Sequence, residues 1–370
     1  MTEDRYKWQS EIYPKWASQN YVGLVQASTG AGKTIAMCKT IAMYQADFPL
    51  ATILIVTPSS KLNKMWQDEL DKYQIKNYKV MTYMTVVNKM QRDGLKCDCM
   101  ICDECHHLAS PVHGRVMELM PRAVLGCSAT PELSVNILGK PMLNITVDEA
   151  NLCDFLVHYT SFPMSRAESA EYDAITDRMR KRALSVSGGK ATGLPPGRDT
   201  YGWGSYDAMV RKRRDISYKF ESRIPYTVAL VKKHLSSKVV IFTERRETVQ
   251  KIKHALLNEE IMAVDDTRVS DYETGKANVL ILCGKLREGW NSVSTNVVII
   301  SAVNTRVIKN VQTIGRALRV DPNNPDKKAH IYMLLAQGTS DESVIKNTAS
   351  FYKGHYTITT IQQELGGRTL

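Results

Sequence analysis

A short glycine-containing segment, Ala27-Ser28-Thr29-Gly30-Ala31-Gly32-Lys33-Thr34, has the residue types of a phosphate-binding loop. It follows an apolar run at residues 22–26 that predicts a strand, and it precedes a helical pattern. Glycines let successive backbone N–H groups point at phosphate oxygens, and the helix start adds its positive dipole end. Lys33 would then bind the β- and γ-phosphates, and Thr34 would ligate Mg²⁺. A glycine turn without a ligand is the alternative. The candidate nucleotide-binding residues are Thr29, Gly30, Ala31, Gly32, Lys33 and Thr34.

Two adjacent carboxylates, Asp103 and Glu104, end a second apolar strand predicted at residues 100–102. Asp103 suits a contact with Mg²⁺, directly or through water, and Glu104 suits a general base toward the attacking water. Another strand is followed by small hydroxyl residues that can hydrogen-bond His106 and link the nucleotide site to movement. These hydroxyl residues are Ser128 and Thr130. Each string alone is weak evidence, but a phosphate loop before them strengthens the prediction.

Residues 312–319 open a predicted helix that carries Gln312, Arg316 and Arg319. The two arginines are three residues apart, so both can face one side of the helix and reach a neighbouring phosphate. Such an arginine stabilises the charge that develops in phosphoryl transfer. The alternative is that both arginines simply cover the helix surface. Before this helix, a segment that contains Gly289 follows a strand and suits coupling between nucleotide and nucleic-acid contacts.

The elements that must position these residues are short apolar strands separated by helical stretches. Strands interleaved with helices predict βαβ units and parallel sheets covered on both faces, so the predicted fold class is α/β. The predicted domains are residues 1–157 and residues 215–370, each with its own sheet. The predicted strands lie at residues 22–26, 51–56, 79–81, 100–102 and 123–127 in the first domain, and at 238–243, 278–283, 296–301 and 330–335 in the second.

The segment between the two domains, residues 158–214, has a different composition. Residues 166–184 have a charged helical pattern, whereas the glycine-rich residues 185–206 predict a loop. Two local runs of cations, at residues 178–182 and 211–214, favour contact with a nucleic acid. A solvated helix face is the alternative for each run.

The overall composition favours a soluble protein with a nucleic-acid partner. The 370-residue chain carries a net charge of +11, although solubility alone could explain a basic protein. It has no apolar run long enough for a membrane helix, and its polar N-terminus does not resemble a signal peptide. We therefore expect no membrane partner and a location in the cytoplasm, or in another intracellular compartment that contains DNA.

Four of the eight cysteines, Cys97, Cys99, Cys102 and Cys105, have a spacing that could suggest zinc or an iron–sulfur centre. Residues 100–102, however, have the pattern of a buried strand, and a strand points alternate side chains to opposite faces. Four converging thiolates are hard to arrange there. The pattern favours buried, reduced thiols.

The order of these segments resembles that of helicase superfamily 2. The loop has the A-x-T-G-x-G-K-T form of motif I, the Walker A element, which explains the alanine at position 27. The other segments resemble later motifs in the same order: residues 103–106 the DExH motif II, 128–130 motif III, 240–243 motif IV, 284–291 motif V and 312–319 motif VI.

The resemblance implies two tandem RecA-like domains, each a mainly parallel sheet flanked by helices, with ATP and Mg²⁺ bound in the cleft between them. Gln9 falls at the position that hydrogen-bonds the adenine base. Thr57, Thr82 and Thr243 fall in segments that touch the nucleic-acid backbone. Motif V departs from the pattern, because it carries Asn291 where relatives often have aspartate.

Within the superfamily, residues 103–108 and 286–290 most resemble the XPB-like, UvsW-like and type III restriction-motor group. This resemblance implies an ATP-dependent DNA helicase or translocase that unwinds or branch-migrates DNA in replication, recombination or repair. Its partner would be single-stranded, duplex or branched DNA, and we expect a monomer. Three alternatives stay open: a motor subunit of a restriction or repair complex, an RNA helicase, and an ATP-switched clamp that barely translocates.

Overall fold

The computed structural model divides by its contacts into two compact units. Unit 1 comprises Met1–Asp154 and Val311–Lys327, and unit 2 comprises Phe155–Asn310 and Lys328–Leu370. From its place in the sequence, the segment 311–327 was expected in the second domain, but its contacts group it with unit 1. The predicted boundaries at residues 157 and 214 stay a prediction. The structure describes residues 7–28, 30–130, 134–146, 149–150, 152–186, 203–284, 294–303, 314–315, 318–321 and 323–367.

Unit 1 is built on a sheet that has six strands over the described residues, in the order β3-β2-β4-β5-β1-β6. Each paired strand in it runs parallel to its neighbour. The carboxyl ends of the strands therefore lie at one edge of the sheet. The elements are α1 (Lys7–Ser18), β1 (Val22–Ala27), α2 (Lys33–Asp47), β2 (Ile53–Thr57), α3 (Ser60–Lys72), β3 (Tyr78–Thr82), α4 (Tyr83–Asp93), β4 (Cys99–Asp103), β5 (Ala123–Ser128), α5 (Val135–Leu138) and β6 (Leu143–Ile145), with 3₁₀ helices at Cys105–Ala109 and His113–Leu119.

The two faces of this sheet carry separate apolar clusters, because strand side chains alternate between faces. In β4, Ile101 packs in a cluster with residues of α1, α2 and α3. The neighbouring Met100 packs in a second cluster with residues of α4 and the 3₁₀ helices. Helices thus cover both faces, as the near-continuous apolar strands predicted.

Unit 2 contains a sheet in the order β13-β7-β12-β11-β8-β10-β9 over the described residues. The pairs formed by β8 with β10 and β11, by β9 with β10, by β11 with β12 and by β7 with β13 are parallel. The α/β class is confirmed in both units. The elements are β7 (Asp154–Phe162), α6 (Arg166–Val186), α7 (Trp203–Tyr218), α8 (Arg223–Lys233), β8 (Val239–Thr243), α9 (Arg246–Asn258), β9 (Ala263–Asp265), α10 (Val269–Glu273), β10 (Val279–Cys283), β11 (Val297–Ile300), β12 (Lys328–Ala336), α11 (Ser343–Thr348), β13 (Tyr356–Thr360) and α12 (Ile361–Glu364), with 3₁₀ helices at Ser340–Glu342 and Ala349–Tyr352.

The helices α6 and α7 pack against each other within unit 2. The charged helix predicted at residues 166–184 is confirmed as α6. The predicted loop at residues 185–206 is wrong at both ends, because α6 extends to Val186 and α7 begins at Trp203. The rest of that loop, residues 187–202, lies outside the described residues.

The four clustered cysteines are free thiols, and all but the partly buried Cys97 are buried. Cys99 packs on the face of β4 that meets α1, α2 and α3, whereas Cys102 and Cys105 pack in the cluster on the opposite face. Burial raises the pKa of Cys97 to about 11 and that of Cys105 to about 12. The predicted burial is confirmed for Cys99, Cys102 and Cys105, and the reduced state of these thiols stays a prediction.

Among the described residues, none of the helices combines the length and the apolar character that crossing a membrane would require.

Candidate nucleotide-binding site

The glycine loop connects the carboxyl end of β1 to the start of α2. Gly32 immediately precedes α2 and has the left-handed φ of 87°, and Gly30 has φ of 92°. Side chains rarely adopt this backbone region, so both positions favour glycine. The Lys33 side chain lies over the loop, where its Nζ donates to the carbonyl oxygens of Ala27 at 3.1 Å and Ser28 at 3.4 Å. Strand, loop and helix therefore have the arrangement that the sequence predicted.

Gly30 is also packed too closely for a side chain. A Cβ atom at Gly30 would lie 2.9 Å from the carbonyl oxygen of Gly315 and 3.1 Å from Leu152 Cδ2. The same Cβ would lie 3.7 Å from Cγ of Arg319, whose backbone forms a bridge with Leu152. Within unit 1, the segment that carries Arg319 therefore lies beside the glycine loop.

Asp103 ends β4 at the same sheet edge and is held by hydrogen bonds from α3, from α4 and from the residue that follows it. Its Oδ2 accepts the indole N–H of Trp66, from α3, at 2.9 Å. Its backbone carbonyl accepts the hydroxyl of Tyr83, the first residue of α4, at 2.9 Å. Its Oδ1 accepts the backbone N–H of Glu104 at 3.0 Å. The side chain is therefore buried in a fixed orientation.

Glu104 follows in a left-handed conformation with φ of 46°, which is uncommon for a residue with a side chain. Its Oε2 accepts the Ser128 hydroxyl at 3.3 Å and lies 3.4 Å from Nδ1 of His106. The predicted hydrogen bond between His106 and Ser128 is present at 3.0 Å. Thr130, also buried, donates its backbone N–H to the Ser128 hydroxyl at 3.1 Å. Ser128 thus connects motifs from two neighbouring strands.

The two carboxyls have opposite pKa shifts. Burial raises the pKa of Asp103, and the nearby charge of Glu104 adds to the increase, while the hydrogen bond from Trp66 opposes it. Burial alone would also raise the pKa of Glu104, but the hydrogen bond with His106 and the charge of Lys33 outweigh it, so that its pKa is lowered. Glu104 is therefore ionised at neutral pH, which is the form that can accept a proton.

Gln9 lies in α1, beside the loop. Its side chain is buried, and its Oε1 accepts a hydrogen bond from Lys39 Nζ at 2.8 Å. Its Nε2 would lie 3.3 Å from a Cβ atom at Gly32, and it has no hydrogen-bond partner among the residues described. The structure thus places a buried amide next to the glycine loop, and its contact with an adenine base stays a prediction. Thr34, the candidate Mg²⁺ ligand, is the second residue of α2 and is partly buried.

Each of the three threonines predicted to contact nucleic acid is the last residue of a strand: β2 for Thr57, β3 for Thr82 and β8 for Thr243. Thr57 is buried, and its hydroxyl donates to Oδ1 of Asn63 at 2.6 Å. Thr82 is partly buried and accepts the N–H of Thr85 as the cap of α4. The Thr243 hydroxyl is buried. Their contact with nucleic acid stays a prediction.

Four of the predicted site residues lie outside the described residues. They are Thr29, Gly289, Gln312 and Arg316. Conversely, no pattern in the sequence assigned Trp66 to the site. Trp66 stands four residues from Leu62 and Leu70 in an amphipathic helix, a spacing that predicts a core position alone.

Sequence comparison finds relatives over most of the chain. The family model of the type III restriction enzyme res subunit matches residues 4–94 and 74–133. The DNA 3'-5' translocase XPB2 of Sulfurisphaera tokodaii is 22% identical over 370 aligned residues, which cover 90% of this chain and 82% of that protein.

Solved structures resemble the whole fold. The Hef helicase domain of Pyrococcus furiosus has a TM-score of 0.55 at 16% identity, covering 91% of this chain and 96% of that chain. The ATP-dependent type ISP restriction-modification enzyme LlaBIII bound to DNA has a TM-score of 0.65 at 12% identity, covering 99% of this chain and 32% of that chain.

The two mainly parallel sheets, each flanked by helices, are thus two tandem RecA-like domains, which confirms the predicted fold. The res-subunit match, the XPB2 relative and these structural neighbours together support a superfamily 2 helicase or translocase. Helicase and translocase relatives imply a motor that hydrolyses ATP, typically with Mg²⁺.

Proposed function

We propose that this protein is an ATP-dependent DNA translocase or helicase. The observation that carries the proposal is one sheet edge at which the loop of Lys33 meets the adjacent carboxyls of Asp103 and Glu104. The charge of Lys33 favours the ionised form of both carboxyls: it opposes the increase that burial causes in the pKa of Asp103, and it contributes to the lowered pKa of Glu104. DNA is favoured over RNA because the XPB2 relative is a DNA translocase.

The residues at this edge suit ATP with Mg²⁺. A loop with two left-handed glycines, at the start of a 15-residue helix, offers N–H donors to phosphates. The buried amide nitrogen of Gln9, which has no hydrogen-bond partner among the described residues, suits a base beside it. We propose that Thr34 and Asp103 hold Mg²⁺, whose role is to neutralise phosphate charge during transfer.

The other residues would act on the attacking water or couple the nucleotide site to movement. We propose that ionised Glu104 accepts a proton from the attacking water, since the hydrogen bonds of Ser128 and His106 hold its carboxylate in place. Through their hydrogen bonds, His106 and Ser128 would transmit a change in the position or charge of Glu104 to the end of the neighbouring strand β5. Arg319, and with it Arg316 and Gln312, would stabilise charge on the transferred phosphate.

Trp66 supplies a test of the Mg²⁺ assignment. Trp66→Phe keeps most of the buried ring but removes the hydrogen bond to Asp103. A hydrogen bond to a charged group contributes about 1.5 kcal/mol, so we expect about a tenfold increase in the Mg²⁺ concentration that gives half-maximal ATP hydrolysis. The measurement is a Mg²⁺ titration of the ATPase rate.

Trp16→Phe is the matched control. Trp16 is equally buried and donates its indole N–H at 2.9 Å to the carbonyl oxygen of Val124, away from the carboxyls. It should lower thermal stability without changing the Mg²⁺ titration. If both variants gave the wild-type titration, Trp66 would not position a Mg²⁺ ligand.

We further propose that the helices α6 and α7 contact the DNA backbone. Arg178 and Lys181, three residues apart on α6, are exposed, as are Arg211 and Lys212 on α7. Lysine and arginine bind DNA mainly by neutralising phosphates and releasing counterions, so binding should weaken as salt rises.

The double variant Arg178→Gln/Lys181→Gln, which removes two positive charges, should bind duplex DNA more weakly. Each lost phosphate contact reduces the slope of log K against log salt by about 0.9, so the slope should become smaller by up to about 2. Fluorescence anisotropy over a salt series measures it. The control, Lys276→Gln/Lys353→Gln, removes two other exposed lysines of unit 2. If both double variants gave equal slopes, Arg178 and Lys181 would be exposed to solvent without contacting DNA.

The proposed activity is tested by the ATPase rate with single-stranded, duplex, forked and four-way DNA and with RNA, beside Lys33→Ala. We expect DNA to stimulate hydrolysis more than RNA does. Strongest stimulation by forked or four-way DNA would support a role in unwinding or branch migration during replication, recombination or repair. If no nucleic acid stimulated the rate, a motor function would be excluded; stimulation by RNA alone would reassign the substrate.

A further inference from the structure

One peptide group, between Asp103 and Glu104, joins the two carboxyl residues of the candidate site. Its carbonyl oxygen accepts the Tyr83 hydroxyl at 2.9 Å, and its N–H donates to Oδ1 of Asp103 at 3.0 Å. The carbonyl and the N–H of a planar trans peptide point in opposite directions. The peptide plane is therefore held from both sides, by a phenol on one side and by a carboxylate on the other.

The orientation of this peptide sets the backbone conformation of Glu104. Glu104 has φ of 46°, in the left-handed region, which costs free energy for a residue with a Cβ atom. Rotation of the peptide that exchanged its carbonyl and its N–H would give Glu104 a negative φ and remove that cost. The rotation would also break both hydrogen bonds of the peptide. A conformation of this kind persists only where the surrounding structure holds it, and here the two hydrogen bonds do so.

Tyr83 is itself held firmly by its surroundings. It is the first residue of α4 and only 1% exposed, and its ring lies 5.6 Å from that of His107 and 5.4 Å from that of His113 between centroids. The preceding residue, Thr82, caps α4 by accepting the N–H of Thr85 at 3.2 Å. A carbonyl has no proton to give, so the Tyr83 hydroxyl is the donor to Asp103. Packing and the helix cap thus fix the place of this donor.

We propose that Tyr83 is a positioning residue for the general base: its hydroxyl holds the peptide before Glu104 and so orients the Glu104 carboxylate toward the attacking water. Ser128 and His106 hold the far end of the same side chain. Glu104 is thereby held at its backbone from α4 and at its carboxylate from β5 and the following 3₁₀ helix. This inference rests on the proposed function, because that function gives Glu104 the role of a base.

The variant Tyr83→Phe keeps the ring and removes the hydroxyl. We expect kcat for DNA-stimulated ATP hydrolysis to fall about tenfold, the effect of losing one buried hydrogen bond, while the KM for ATP stays within about twofold of wild type. Tyr159→Phe is the matched control, since Tyr159 is buried in β7 of unit 2 and its hydroxyl lies 2.7 Å from that of Thr348. It should lower the melting temperature and leave kcat unchanged.

A second comparison determines whether Tyr83 acts through Glu104. Two residues that act as a unit give effects that do not add. In the Glu104→Gln background no carboxylate is left to orient, so Tyr83→Phe should change the remaining kcat by less than about twofold. A further loss of about tenfold in that background would mean that the hydroxyl supports the site without acting through Glu104.

Hydrogen exchange tests the peptide itself, without nucleotide. The amide hydrogen of Glu104 should exchange slowly in the wild-type chain, because it is hydrogen-bonded and its peptide cannot rotate. In Tyr83→Phe it should exchange at least about tenfold faster, whereas Tyr159→Phe should leave its exchange unchanged. The wild-type measurement needs no variant, so it stands even if Tyr83→Phe folds poorly.

Any of four results would overturn the inference: an unchanged kcat in Tyr83→Phe, a change in KM instead of kcat, equal losses in the wild-type and Glu104→Gln backgrounds, or fast exchange of the Glu104 amide in the wild-type chain. Failure of the proposed function would look different. No nucleic acid would then stimulate ATP hydrolysis by the wild-type chain, while the Glu104 amide would still exchange slowly.

Discussion

Replacement of Lys33 by alanine is expected to lower DNA-stimulated ATP hydrolysis by at least about 100- to 1,000-fold. The Lys33 ammonium lies over the loop, next to the carbonyl oxygens of Ala27 and Ser28, and its charge acts on Asp103 and Glu104. A cation in this position binds phosphate oxygens in the ground state and stabilises the added negative charge in the transition state. Alanine leaves the loop backbone but removes the charge.

The variant should lose nucleotide affinity and turnover together. Isothermal titration with a non-hydrolysable ATP analogue measures the first, and the steady-state ATPase rate measures the second. Lys76→Ala is a suitable control, since Lys76 is an exposed lysine of the same unit that lies before β3, at the opposite edge of the sheet. Full ATPase activity in Lys33→Ala would show that the loop is a glycine turn without a catalytic role.

Replacement of Glu104 by glutamine is expected to lower kcat by about 100- to 10,000-fold, which is the usual contribution of a general base. Glutamine has nearly the same shape and can still accept the hydrogen bond from the Ser128 hydroxyl. It cannot take a proton from water. Among the described residues, the side chain of Glu104 is held by Ser128 and His106 and not by the loop, so we expect the KM for ATP to change little.

The separation of kcat from KM is what identifies a catalytic rather than a structural role. A melting curve measured beside the kinetics should show a small change, because the left-handed backbone at position 104 costs glutamine about as much as it costs glutamate. Glu118→Gln, at an exposed glutamate paired with Arg115, is the matched control. A Glu104→Gln variant that kept half of the wild-type kcat would remove Glu104 from the mechanism.

The sequence by itself determined the elements and the residues at their ends. The near-continuous apolar runs at β2, β4 and β5 predict buried parallel strands, because such strands are covered on both faces. The residues that follow parallel strands share one edge of the sheet, so the sequence alone predicts that the loop, Asp103 and Ser128 lie together. The hydrogen bond between His106 and Ser128 follows from the same reasoning.

Only the tertiary structure showed which side chains from other elements hydrogen-bond to the residues of the candidate site. The sheet order β3-β2-β4-β5-β1-β6 differs from the chain order, so helices distant in sequence meet the same strand end. Trp66 reaches Asp103 across 37 residues, and Lys39 reaches Gln9 across 30. A periodic pattern shows which face of a helix is buried, but not which polar atom of another element that face will meet.

The glycine loop shows both contributions. Its residue types and its strand–loop–helix context predicted a phosphate site from sequence alone. Only the fold showed that Gly30 packs against Gly315, that the segment of Arg319 groups with unit 1, and that the amide of Gln9 faces the loop with its nitrogen. Local sequence fixes backbone conformation through short-range sterics, whereas these contacts depend on how distant elements pack against one another.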